Sequence, residues 1–111
     1  RHIVKLLNEK YGEGTVTLII KEQYRNMKEK IEPCMHLIDN AKKAVQQSGL
    51  NPKTVAIRGG TDGARLSFMG LPCPNLGTGG YAFHGPCEHI TVEGMDYAVE
   101  NLKNIVKLYA C

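Results

Sequence analysis

Nine of the twelve glycines in this chain of 111 residues fall between Gly59 and Gly94, and that crowding limits its second half more than any other feature. Glycine opens backbone angles that a Cβ forbids and weakens any continuous helix or strand, so this half has to be built from short elements and tight turns. Such turns let the backbone approach a neighbour or a ligand closely. The segment from Ile57 to Gly70, IRGGTDGARLSFMG, carries the pattern in its most ordered form. An apolar run is followed by one arginine, two glycines and Thr-Asp-Gly, and only then does a helical pattern begin.

Length and composition permit one ordinary domain, since 42% of the residues are hydrophobic and 23% charged, a balance that favours a folded chain over a disordered one. The net charge of +3 is local in origin: the first thirty residues hold seven Lys/Arg against four Asp/Glu, and the remainder seven against seven. There is no basic stripe interleaved with aromatics, so nucleic acid is not an expected partner. Cys34, Cys73, Cys87 and Cys111 follow no disulfide or zinc-pair spacing, which makes reduced thiols and a cytoplasmic location the expectation. No leader or long apolar run suggests a membrane partner. The opening on Arg1, inside a helical pattern and without an initiator methionine, is what a piece of a longer protein would show.

Ile3, Leu6, Leu7 and Tyr11 recur at helical spacing before Gly12, predicting a short amphipathic helix over 2–11. Val16, Leu18 and Ile20 alternate in a β-branched run, which predicts a strand. Residues 22–32 read as a charged connector between two structural units, or as a further strand. Leu37, Ile38, Ala41, Ala44 and Val45 then share one helical face up to Gly49 and Asn51-Pro52. Val55–Ile57 reads as a short strand and Ala64–Met69 as a brief helix. In the last segment Met95, Ala98, Val99, Leu102, Ile105, Val106 and Tyr109 form one apolar stripe, with acids early and lysines late to suit the helix dipole. The order strand, helix, strand, helix suggests an α/β layer, with the first thirty residues belonging to a smaller unit.

Two constellations could carry chemistry. In the first, Gly59 and Gly60 free the backbone and Thr61 or Asp62 can cap a helix, while Arg58 offers a planar fork matched to a carboxylate or phosphate. The same residues also suit a capped turn with Arg58 in a structural ion pair. In the second, GGYAFHGPCEH, His84 lies in a loop before Gly85 and could turn toward a metal. Its spacing to Cys87 and His89 fits no zinc-finger pattern, and a loop histidine is equally a surface or hydrogen-bonded residue. His36, in the first turn of its helix, reads as structural.

Taken together, YRNMKEKIEP, AIRGGTDGARLSFMGLPCPNLGTGGYAFHG and the amphipathic terminal helix resemble the C-terminal portion of the peptidase T family, the bacterial aminotripeptidases among the di-zinc metallopeptidases. The resemblance spans essentially the whole chain and is tightest from Ile57 to Gly85. It implies that residues 1–30 are the end of an α+β lid or dimerisation domain and that residues 31–111 are the C-terminal part of a di-zinc exopeptidase catalytic domain. It also implies that His84 matches a zinc ligand of the family, and that Arg58, with Gly59 and Gly60, holds the carboxylate of a tripeptide substrate. Two zinc ions per intact enzyme and a homodimer through the lid would follow. The family's upstream histidine, bridging aspartate, further carboxylate ligands and catalytic glutamate have no counterpart in the segment, so no catalytic residue is assigned within it. The isolated chain is expected to be inactive. Two alternatives are a stand-alone module that binds anions through Arg58 and a dimerisation piece, both without catalysis.

Overall fold

The computed structural model describes residues 1–110. Helix α1 covers His2–Tyr11 and stops at Gly12, whose φ of 108° takes the chain out of the helix at low steric cost. A stretch without regular structure leads to α2, Lys28–Ile31, and a 3₁₀ turn, Glu32–Cys34. Helix α3 runs over His36–Gln47, α4 over Asp62–Phe68 and α5 over Val92–Tyr109. Between α4 and α5, β1 (Gly80–Tyr81) and β2 (His89–Ile90) form a two-stranded antiparallel ribbon, with Gly80 opposite Ile90 and Tyr81 opposite His89. The architecture is therefore a mixture of helices with one small sheet.

Helices α1, α3, α4 and α5 fall close to the expected positions, because their period and their stop signals are local, whereas α2 forms within the stretch read as a connector or strand. The two expected strands do not form: residues 16–20 and 55–57 have no strand structure. A strand satisfies its backbone groups through a neighbour, and among the described residues neither run has one. Val16 instead pairs with a side chain, its N–H donating to Asn8 Oδ1 at 2.8 Å and its carbonyl accepting from Asn8 Nδ2 at 3.0 Å. Ile19 and Val55 remain 75% and 71% exposed.

Packing is concentrated where α3 lies against α5. Ala44 is fully buried there, and Asn104 donates from Nδ2 to the Ala44 carbonyl at 3.3 Å and to Ser48 Oγ at 3.1 Å. Ser48 in turn donates to Asn101 Oδ1 at 2.7 Å. The single apolar stripe expected on α5 is divided between two faces. Ala98 and Ile105 turn inward beside Asn104, while Met95, Val99, Leu102, Val106 and Tyr109 stay exposed. With Val92 these outward residues recur every three and four positions, a seam suited to a second surface.

The radius of gyration is 20.4 Å, against about 13 Å for a compact domain of this length. Ile31, Ala44 and Ala64 are the buried hydrophobic residues among those described, so the chain on its own closes very little core.

Candidate functional site

The turn that follows Ile57 is built from local capping and one close packing contact. Thr61 takes extended backbone angles and its hydroxyl accepts the N–H of Ala64 at 3.2 Å, capping α4. The Thr61 hydroxyl also accepts from Asn75 Nδ2 at 3.2 Å, which draws the loop after α4 back over the helix start. Ser67, only 2% exposed, donates to the Gly63 carbonyl at 2.7 Å and accepts the Cys73 N–H at 2.9 Å. A Cβ on Gly63 would meet the Cys73 carbonyl oxygen at 2.5 Å and Asn75 Oδ1 at 2.8 Å. Gly63 is therefore required by packing, a role its place in the motif did not reveal.

Arg58 precedes this turn and is exposed, and it makes no side-chain hydrogen bond or ion pair among the described residues. The structural ion pair considered from sequence is absent among the described residues, and the guanidinium keeps its donors for another partner. Gly59 follows with φ of 91° and open space around its missing Cβ. Gly60 is the opposite case: the ring of Tyr24 occupies the position that a Cβ there would take. Capping by Thr61 already uses the Ala64 N–H, and Arg58 is an exposed donor group at this end of the motif.

His84 sits in the loop of the small ribbon, with a φ of 63°, and Ala82 two positions earlier has a φ of 53°. Two non-glycine residues in the left-handed region of one loop are uncommon, and histidine is among the types that tolerate it. The loop is held by its own hydrogen bonds, since the His84 N–H donates to Glu88 Oε2 at 2.9 Å and the Gly85 N–H to the Ala82 carbonyl at 3.2 Å. The rings of Tyr81 and His89 stack at 5.4 Å across the ribbon. His89 Nδ1 lies 2.8 Å from the Cys87 carbonyl, a contact that places a proton on Nδ1 because a carbonyl can only accept. His84 is thus exposed at the tip of a loop whose shape does not depend on its imidazole.

Among the described residues no three His, Cys, Asp or Glu side chains come together to hold a metal ion. His84 belongs to no such group, and this segment by itself does not fit a zinc site. No hydrogen bond joins Arg58 to His84 among the described residues. Cys34 and Cys73 are half-buried free thiols and Cys87 is an exposed one; Cys111 lies outside the described residues. No helix among the described residues is long and apolar enough to cross a membrane.

The connector over residues 22–32 is more than the solvated link its charge suggested. Arg25 and Lys30 place their cationic groups 4.9 Å and 5.3 Å from the centre of the Phe68 ring, and the Met27 sulfur lies 4.0 Å from Ser67 Oγ. With Tyr24 on Gly60, the connector rests along the unit that carries Arg58. Tyr24, Arg25 and Lys30 were visible in the sequence, but nothing local pointed to their targets.

No protein-family model matches the chain. Curated sequences do. The chain is 61% identical over 108 residues to peptidase T of Clostridium perfringens strain 13, which covers 97% of this chain and 27% of that protein. It is 58% identical over 109 residues to peptidase T of Caldanaerobacter subterraneus subsp. tengcongensis, covering 98% and 27%. Against peptidase T of Alkaliphilus oremlandii the identity is 54% over 110 residues, covering 99% and 27%. The chain spans about a quarter of the length of the curated relatives it matches.

Proposed function

We propose, from a chain homologous over nearly its whole length to a segment of peptidase T, that the full-length protein is a zinc-dependent aminotripeptidase that releases the N-terminal residue of tripeptides. Under this reading residues 1–30 end a lid domain and residues 31–111 complete the catalytic domain. The exposed apolar seam of α5 and the run 55–57 then dock on the remainder of that domain, and the run 16–20 on the remainder of the lid. The identity of 61% across 97% of the chain is the observation that carries the proposal.

The segment's own contribution is binding and orientation. Arg58 carries a guanidinium with no partner among the described residues, on a turn shaped by Gly59 and Gly60, and it receives the terminal carboxylate of the peptide through two parallel charge-assisted hydrogen bonds. Fixing that carboxylate sets how far the rest of the peptide reaches, which limits substrate length. His84 offers one imidazole to zinc from a preformed loop. This segment does not furnish a zinc site alone, so the remaining ligands belong to the rest of the full-length protein. The isolated chain is accordingly inactive.

The test is His84→Gly in the full-length protein, because glycine accepts the left-handed backbone angle and removes only the imidazole. The expected result is a folded protein that has lost about one zinc equivalent and most of its tripeptide hydrolysis, as removal of a ligand demands. Unchanged zinc content and turnover would refute the role of His84. No hydrolysis of tripeptides by the unmodified full-length protein would refute the function.

A further inference from the structure

We propose that Tyr24 is a positioning residue for the Arg58 turn, so that the connector leaving the first thirty residues sets the geometry of the carboxylate clamp. The inference rests on the reading of Arg58 given above. Its structural basis is the ring of Tyr24, which fills the space beside Gly60 that any Cβ would need. Gly60 lies two residues from Arg58, and the intervening Gly59 has a φ of 91°. A turn made of two glycines has little stiffness of its own. What holds it has to come from outside the turn, and the aromatic face of Tyr24 is the group in contact.

Tyr24 is itself held by its neighbours in sequence. Arg25 stacks its guanidinium on Phe68 at 4.9 Å and is 3.5 Å from Glu29, while Lys30 approaches the same ring from 5.3 Å. Cation and ring attract through the ring quadrupole, and Met27 adds a contact to Ser67 in the same helix. The connector is therefore fastened to α4 at Ser67 and Phe68 and reaches back to Gly60 with Tyr24. A displacement of the connector would move the ring and release the glycine turn. Half-exposed as it is, at 47%, Tyr24 contributes little to a core, and its shape against Gly60 is the feature that a substitution would disturb.

The experiment compares, in the full-length protein, a tripeptide with its C-terminal amide as substrates for Tyr24→Ala, Tyr24→Phe, Gly60→Ala, the Tyr24→Ala/Gly60→Ala pair and Arg58→Ala. Tyr24→Ala is expected to raise KM for the free acid about fivefold to tenfold with kcat within about twofold, leaving the amide unaffected, as loss of a binding interaction requires. Tyr24→Phe keeps the ring and should behave as the parent. Gly60→Ala should raise KM alone but add little once the ring is gone, because residues in contact are not additive. Tyr24→Ala with unchanged KM for the acid, or full additivity of the pair, would overturn the assignment of Tyr24. If Arg58→Ala lowers discrimination between acid and amide while Tyr24→Ala does not, only the role of Tyr24 fails. If Arg58→Ala itself keeps full discrimination, the carboxylate reading fails and the inference falls with it.

Discussion

The hydroxyl of Ser67 accepts the backbone N–H of Cys73 at 2.9 Å while donating to the Gly63 carbonyl one turn back. One buried side chain thereby ties the loop after α4 to the helix it has just left. Replacing Ser67 with Ala removes both bonds and leaves a part-buried N–H without a partner, a loss of about 1–3 kcal/mol. Amide hydrogen exchange checks this locally: the Cys73 amide should lose protection by about tenfold to a hundredfold, since each 1.4 kcal/mol is a factor of ten. Protection equal to that of the parent would show that the loop is held by other means.

Gly63 and Gly77 make a matched pair. A Cβ at Gly63 meets the Cys73 carbonyl oxygen at 2.5 Å, whereas one at Gly77 meets nothing within 4 Å. Gly63→Ala should cost about 2 kcal/mol or more by forcing the loop off the helix, as overpacking does. Gly77→Ala should be close to neutral. Thermal unfolding of both variants in the full-length protein measures the contrast, and equal midpoints would contradict the packing described for Gly63.

The outward seam of α5 supplies a third expectation. Leu102 is 54% exposed in this chain, so Leu102→Asp should leave the helix content of the isolated chain unchanged. In the full-length protein, where the seam is proposed to be covered, the same change buries a carboxylate without a partner and should cost about 3 kcal/mol or more. A full-length variant as stable as its parent would mean that α5 keeps this face in water.

Glu100 has a lowered pKa because Lys103 donates a hydrogen bond to its carboxylate at 2.9 Å and attracts its charge, with Lys107 adding a weaker attraction. A carboxyl group whose folded pKa lies below its unfolded value stabilises the fold above the unfolded value, and the contribution is lost as pH falls through the folded pKa. Lys103→Ala should therefore raise the Glu100 pKa toward the ordinary carboxylate range, as read by NMR titration. The pair is exposed, so its effect on stability should be small and should fade with added salt.

How far the fold was legible depended on whether a signal was local. The α1 stop at Gly12, the α3 face from Leu37 to Val45 and the Thr61 cap of α4 all lie within a few residues of the elements they define. Thr91, which caps α5 by accepting the Gly94 N–H at 3.0 Å, carries the same kind of local signal. The runs 16–20 and 55–57 have strand-forming residues, but a strand is completed by a partner, which local patterning cannot provide. The ribbon Gly80–Tyr81 with His89–Ile90 was hidden in a glycine-rich stretch with no alternating pattern. Arg58 and His84 were singled out by residue type and by resemblance. The contact of Tyr24 with Gly60 joins positions far apart in sequence, and no periodicity could announce it.

The most direct measurement is the KM of the full-length protein for a tripeptide and for its C-terminal amide, with Arg58 and with Arg58→Ala. If Arg58 holds the substrate carboxylate, the substitution should raise KM for the free acid about tenfold to a hundredfold, the range expected for lost hydrogen bonds to a charged group, and leave the amide unchanged. Equal effects on acid and amide, or none on either, would contradict the role assigned to Arg58.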